Sequence, residues 1–125
     1  MSTLEVSNLN DGTTTVATTY ITNGSAKAWC NWNGTGTVAT RDSFNNSSLT
    51  DNGTGDYTLG LTSAMGNSNY ATAGGVDQVG YAINVHFNTL TTTSIRVQGD
   101  RDGLGSANYL WDWSFLTTIA HGDLA

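Results

Sequence analysis

Gly80-Tyr81-Ala82-Ile83-Asn84-Val85-His86-Phe87-Asn88 is the clearest strand text in the chain. Tyr81, Ile83, Val85 and Phe87 fall on one side of a two-residue period, and Ala82, Asn84, His86 and Asn88 on the other. That alternation marks a half-buried strand. Toward the amino end the same period recurs in Tyr57, Leu59 and Leu61, and again in Ala28, Cys30 and Trp32. Trp29 falls opposite Trp32, so one of these two rings belongs at the surface or at an interface. Toward the carboxyl end, Ile95 and Val97 alternate with Ser94, Arg96 and Gln98. Tyr109, Trp111, Trp113 and Phe115 then predict one face of a long strand, a stripe expected to supply core. Thr37–Asn45 reads as a further strand, and residues 69–73 as a short one anchored by Tyr70. Asn23-Gly24, Asn33-Gly34 and Asn52-Gly53 are turn signals, because Asn-Gly tolerates the positive φ of tight hairpins. Strands at roughly 8–12-residue spacing, with no crossover helix between them, predict an all-β fold: an antiparallel β-sandwich or jelly-roll-like domain.

Composition points the same way. Thr, Gly, Asn and Ser supply 60 of the 125 residues, proline is absent, and only 11% of residues are charged. Such a chain has too few Lys and Glu residues for solvated amphipathic helices. It suits strands with hydroxyl- and amide-coated faces. Twelve aromatic residues argue against disorder. The net charge of −6, with four scattered cations (Lys27, Arg41, Arg96, Arg101), argues against nucleic-acid and anionic-membrane partners. The lone Cys30 excludes an intrachain disulfide framework. No signal-peptide pattern and no apolar run near the ~18 residues of a membrane span is evident. The expectation is a protein made in a cytoplasm and carried out of the cell, if at all, within a particle.

Residues 1–25 differ from the remainder. Leu4, Val6, Leu9 and Val16 are thinly spread among threonines, so this segment predicts a short β-arm serving attachment, beside a sandwich domain at 26–125. Leu4, Val6 and Trp29 are the candidate interface residues.

Few residues suggest chemistry. A Cys30 nucleophile with His86 as base requires the fold to bring them together, and Cys30 shares its strand face with Trp32. Gly105-Ser106-Ala107-Asn108 lacks the Gly-x-Ser-x-Gly of a nucleophile elbow. Asp51-Asn52-Gly53-Thr54-Gly55-Asp56 and Asp100-Arg101-Asp102-Gly103 offer hard oxygen ligands of the kind calcium takes, but match no EF-hand loop. Aspartate and asparagine are equally the residues of tight turns. The reading is therefore of surface loops, with Asp51, Asp56, Asp77, Asp100, Arg101 and Asp102 as candidate receptor contacts. No catalytic residue, metal ligand or cofactor is expected.

One stretch is more specific. Residues 23–65 contain Ala-Lys-Ala-Trp-Cys-Asn-Trp-Asn-Gly-Thr-Gly at 26–36 and Arg-Asp-Ser-Phe-Asn-Asn-Ser-Ser-Leu-Thr-Asp-Asn-Gly-Thr-Gly-Asp-Tyr-Thr at 41–58. Both blocks, with the opening Ser-Thr-Leu-Glu-Val at 2–6, resemble a module of small virion proteins of tailed bacteriophages. The resemblance implies a non-enzymatic tail-fibre or appendage protein, displayed on the particle and contributing to host attachment. It also implies partners: itself, as a homotrimer, other virion proteins, and a host surface glycan. The weighed alternatives are a capsid decoration (cement) protein and a carbohydrate-binding module.

Overall fold

The computed structural model describes residues 1–77, 84–101 and 109–125. Among these residues, ten strands and one short helix follow in order. β1 (Asn8–Asn10) and β2 (Thr15–Ala17) form a small hairpin, and α1 (Thr18–Gly24) follows directly. Then come β3 (Ala28–Asn33), β4 (Ala39–Phe44), β5 (Asn46–Gly53), β6 (Asp56–Leu61), β7 (Ala71–Val76), β8 (Asn84–Leu90), β9 (Ser94–Asp100) and β10 (Leu116–His121). These eight make two four-stranded sheets, in the orders β4-β3-β10-β7 and β5-β6-β9-β8. Every pairing is antiparallel. The fold is an all-β sandwich.

The two central strands of each sheet carry the core. Alternate residues point inward: Ala28, Cys30 and Trp32 from β3, Leu116, Thr118 and Ala120 from β10, Tyr57, Leu59 and Leu61 from β6, Ile95 and Val97 from β9. Trp32 is fully buried and meets Tyr57 edge-on, with ring centroids 5.8 Å apart and planes at 68°. An edge-to-face pair of this kind adds about 0.5–1.5 kcal/mol to the burial of the rings. Met65 and Tyr70 close the core at one end, where the Tyr70 hydroxyl donates to the carbonyl of Thr91 at 2.9 Å.

Between β4 and β5 the chain changes sheets through one residue. Asn45 has φ +56°, a conformation asparagine tolerates better than most residues. Its side chain fastens the corner, donating to the Lys27 carbonyl at 3.0 Å and accepting the Ser63 N–H at 2.6 Å.

The structure departs from several expectations. The aromatic stripe at 109–115 is not a strand. Only Trp113 is buried; Tyr109, Trp111 and Phe115 are exposed. The segment instead crosses from one sheet to the other. The N–H of Trp111 bonds the Gly99 carbonyl at 3.0 Å, and the Trp113 carbonyl accepts from Gly34 at 2.8 Å. A crossing chain presents one ring to the core as it passes, not a face. The strand that follows, β10, lies farther on and was not anticipated. Residues 46–53, which include Asp51, form β5 and not a loop. Of the expected 80–88 strand, residues 84–88 lie in β8; Tyr81 and Ile83 lie outside the described residues. Asn23-Gly24 ends α1 and makes no hairpin turn. The amino-terminal segment does form a hairpin, but α1 extends it.

Candidate functional site

Strand directions sort the connections into two groups. Residues 34–38, 54–55, the ends of β7 and β9, and 109–115 gather at one end of the sandwich, the loop end. Residues 25–27, Asn45, 62–70, 91–93 and 122–125 gather at the other, the arm end. At the arm end the N–H of Lys27 bonds the Ala120 carbonyl at 2.8 Å, and His121 Nδ1 lies 3.2 Å from the carbonyl of Gly24. The hairpin and α1 therefore attach there. Within this arm only Ala17 and Thr18 are even half-buried; Leu4, Val6, Leu9, Val16, Tyr20 and Ile21 are all exposed.

The loop end brings together the neighbourhoods of most of the candidate contact residues, although Asp102 lies outside the described residues. Asp51 is exposed, and its carboxylate accepts the Gly53 N–H at 2.9 Å, an Asx turn. Gly53 (φ +125°) and Gly55 (φ +63°) supply the left-handed backbone this hairpin requires. Asp77 is exposed and accepts a hydrogen bond from the Ser114 hydroxyl. The Arg101 guanidinium lies over the Trp111 ring, 4.6 Å from its centroid. Arg41, from β4, lies 5.2 Å from the Phe115 centroid and donates to the Trp32 carbonyl at 2.8 Å and to the Ser114 carbonyl. Two arginines thus hold two exposed rings on the loop rim, each a cation–π contact worth about 0.5–1 kcal/mol.

Asp56 and Asp100 are not surface contacts. Asp56 is buried and accepts Arg96 in a two-pronged pair, Nε at 2.9 Å and Nη2 at 2.6 Å, together with Gln98 Nε2 at 2.7 Å. The Arg96 bond holds its carboxyl below the ordinary value, against the opposing effect of burial, with Gln98 and Asn52 adding to the depression. Asp100 is fully buried, with His86 Nε2 at 2.6 Å and the Asn84 N–H at 3.3 Å. Both carboxylates belong to a polar network on the outward face of the β5-β6-β9-β8 sheet, because that face points one way along β9 through Arg96, Gln98 and Asp100. In sequence these aspartates look like turn residues; their partners, 40 and 14 positions distant, gave no local signal.

A residue that sequence reasoning missed ties the loop end together. Asp112 accepts the Gly55 N–H at 2.7 Å and the Tyr57 hydroxyl at 2.8 Å. Tyr57 is fully buried; burial first, and then the Asp112 carboxylate, push its hydroxyl far above the usual phenol range. It stays a neutral donor. Gly34 sits against this latch, where a Cβ would strike the Tyr57 hydroxyl and approach the Trp113 carbonyl.

The fold keeps Cys30 and His86 apart. Cys30 points into the core from one sheet, its thiol pushed up to about 11 by burial, while His86 points outward from the edge of the other. Among the described residues, no three His, Cys, Asp or Glu side chains are placed to hold a metal ion, and no helix is long and apolar enough to cross a membrane. Trp29 emerges on the outward face of the β4-β3-β10-β7 sheet, as expected from its position opposite Trp32. No family model, curated protein or solved structure matches the chain.

Proposed function

We propose that the chain is a non-enzymatic structural protein of a bacteriophage virion, of the tail-fibre or appendage type, displayed on the particle and contributing to host attachment. One observation carries the reading: the molecule is polar along its long axis. Residues 1–24 leave the sandwich at one end and bury none of their larger apolar side chains against it. A segment with seven exposed apolar side chains gains stability by burying them on another chain. At the opposite end, two arginine-held aromatic rings stand among aspartate-bearing turns, open to solvent. The arm end suits attachment to other virion proteins, and the loop end suits weak contacts to a host surface glycan, multiplied by the number of copies displayed. The blocks at 26–36 and 41–58 support the same assignment through their resemblance to phage virion proteins.

One deletion and one pair of substitutions test it together. Particles grown with a chain lacking residues 1–24 should lose the protein while its sandwich still folds. Trp111→Ala with Phe115→Ala should leave incorporation intact and reduce adsorption to the host. Incorporation without the arm would refute the attachment half, and unchanged adsorption the contact half.

A further inference from the structure

We propose that the open groove at the arm end receives one acidic side chain, flanked by aliphatic ones, from a neighbouring virion protein, and that Lys27 selects it. The proposal rests on the reading of the arm end as the attached end, and gives that attachment its chemistry.

Lys27 is 8% exposed, a depth at which lysine is seldom found without a carboxylate beside it. Its ammonium donates to the Ser25 carbonyl at 2.8 Å and to the Ser25 hydroxyl at 3.0 Å. Both acceptors are neutral, and an ammonium carries a third N–H. Among the described residues Lys27 makes no ion pair. A buried charge with only neutral partners carries a desolvation cost that a carboxylate offsets. Nor is the cation loosely placed. The Lys27 N–H bonds the Ala120 carbonyl at 2.8 Å, and the Lys27 carbonyl accepts Asn45 Nδ2 at 3.0 Å. The side chain thus starts from a backbone pinned on both sides, which lowers the ordering cost of binding. Arg41 and Arg101 lie at the loop end, and Arg96 lies on the outward face of the other sheet. Lys27 is therefore the one Lys or Arg side chain of the arm end.

The groove that Lys27 lines has a volume of about 560 Å³, within the span of ligand-sized sites. Ile21 of α1, Phe44 at the end of β4 and Leu124 form apolar walls, all three exposed. A small anion alone would leave those walls in water. A carboxylate carried between aliphatic side chains covers them as it reaches the ammonium, so apolar burial and charge pairing favour the same occupant. Asp123 stands exposed at the rim and makes no ion pair with Lys27. It repels a run of acidic residues, as does the net charge of −6, and so restricts the occupant to a single carboxylate among apolar neighbours. Ile21 belongs both to this groove and to the exposed apolar set of the arm. One partner that covers the arm therefore reaches the groove as well.

Titration of the isotope-labelled full chain with two capped tripeptides, acetyl-Leu-Glu-Leu-amide and acetyl-Leu-Gln-Leu-amide, followed by NMR, tests this. The glutamate peptide should bind at least about 10-fold more tightly than the glutamine peptide. Its shifts should centre on Ile21, Lys27, Phe44 and Leu124. Lys27→Met keeps the stem and removes the charge; it should abolish the difference between the peptides, with circular dichroism showing the sandwich unchanged. Phe44→Ser should weaken both peptides alike, by about 5-fold or more. Equal affinity of the wild type for the two peptides, a preference that survives Lys27→Met, or no binding of either peptide at about 10 mM would overturn the proposal. The exposed Leu4-Glu5-Val6 of this chain has the same pattern as the expected occupant. Tighter binding of the glutamate peptide to Glu5→Gln than to the wild type would show the groove already taken by residues 4–6, and would overturn its assignment to another protein. Absence of the protein from particles would refute the virion reading and leave these affinities untouched.

Discussion

Removing the Asp112 carboxylate should loosen the loop end more than its position on an irregular segment suggests. In Asp112→Ala the Gly55 N–H loses its acceptor at 2.7 Å, and the buried Tyr57 hydroxyl keeps only the Gly34 carbonyl at 3.2 Å. Gly55 is buried too, so solvent cannot readily replace the lost partner. Hydrogen bonds to a charged group contribute about 1.5–3 kcal/mol, and a buried donor left unpaired costs about 1–3 kcal/mol, so the loss should total about 2–4 kcal/mol. Against a whole-domain stability of about 5–15 kcal/mol this is a large fraction. Urea unfolding followed by tryptophan fluorescence should report it, because Trp32 and Trp113 lie in the core beside the latch. With a slope of about 1–3 kcal/mol per molar urea, the midpoint should fall by roughly 1–3 M. Tyr57→Phe should cost less, about 1 kcal/mol, since Asp112 retains Gly55. The two changes should be non-additive by at least about 0.5 kcal/mol, as expected for one shared network. A midpoint unmoved by Asp112→Ala, or strict additivity with Tyr57→Phe, would refute the latch.

Three further outcomes follow from the interior. The Thr118 hydroxyl is buried and makes no hydrogen bond among the described residues, so Thr118→Val should raise stability by about 1 kcal/mol and the melting temperature by a few degrees in calorimetry. Asp56 has its folded pKa depressed by Arg96. Its contribution is therefore present above the ordinary value of 3.8 and is lost as pH falls below it. Asp56→Asn should lower stability by about 1–3 kcal/mol at neutral pH and flatten the acid limb of the stability profile below about pH 4; an unchanged acid limb would count against the pair. Cys30, 3% exposed and with a raised pKa, should resist a thiol reagent at pH 8 in the native protein and react once when the protein is unfolded in urea.

Three of the four central strands were legible because their apolar residues recur at every second position with no competing signal: Ala28-Cys30-Trp32, Tyr57-Leu59-Leu61 and Ile95-Val97 all point inward where the period places them; the fourth, β10, points Leu116, Thr118 and Ala120 inward and carries a weaker period. The edge strand β5 was harder. β5 offers a single aliphatic residue, Leu49, because an edge strand with most of its side chains in solvent has little reason to alternate. The same period misled at 109–115, where Tyr, Trp, Trp and Phe alternate along a crossing segment, two of whose three exposed rings, Trp111 and Phe115, pack under arginines and not under the opposite sheet. α1 escaped notice because its seven residues carry no buried position and no side-chain cap, so neither periodicity nor punctuation marks it. At the loop end, turn chemistry at Asp51-Asn52-Gly53 was readable from local residues. The burial of Asp56 and Asp100 was not, since it depends on Arg96 and His86, 40 and 14 positions away on neighbouring strands.

The direct measurement is an image of the protein in place. Electron cryomicroscopy of purified particles, with a small tag inserted between Thr35 and Thr37 to mark the tips of the sandwich, locates both ends of each subunit. The account predicts tagged tips pointing outward and residues 1–24 buried against neighbouring virion proteins. Tips facing the particle, with the hairpin and α1 projecting into solvent, would contradict it.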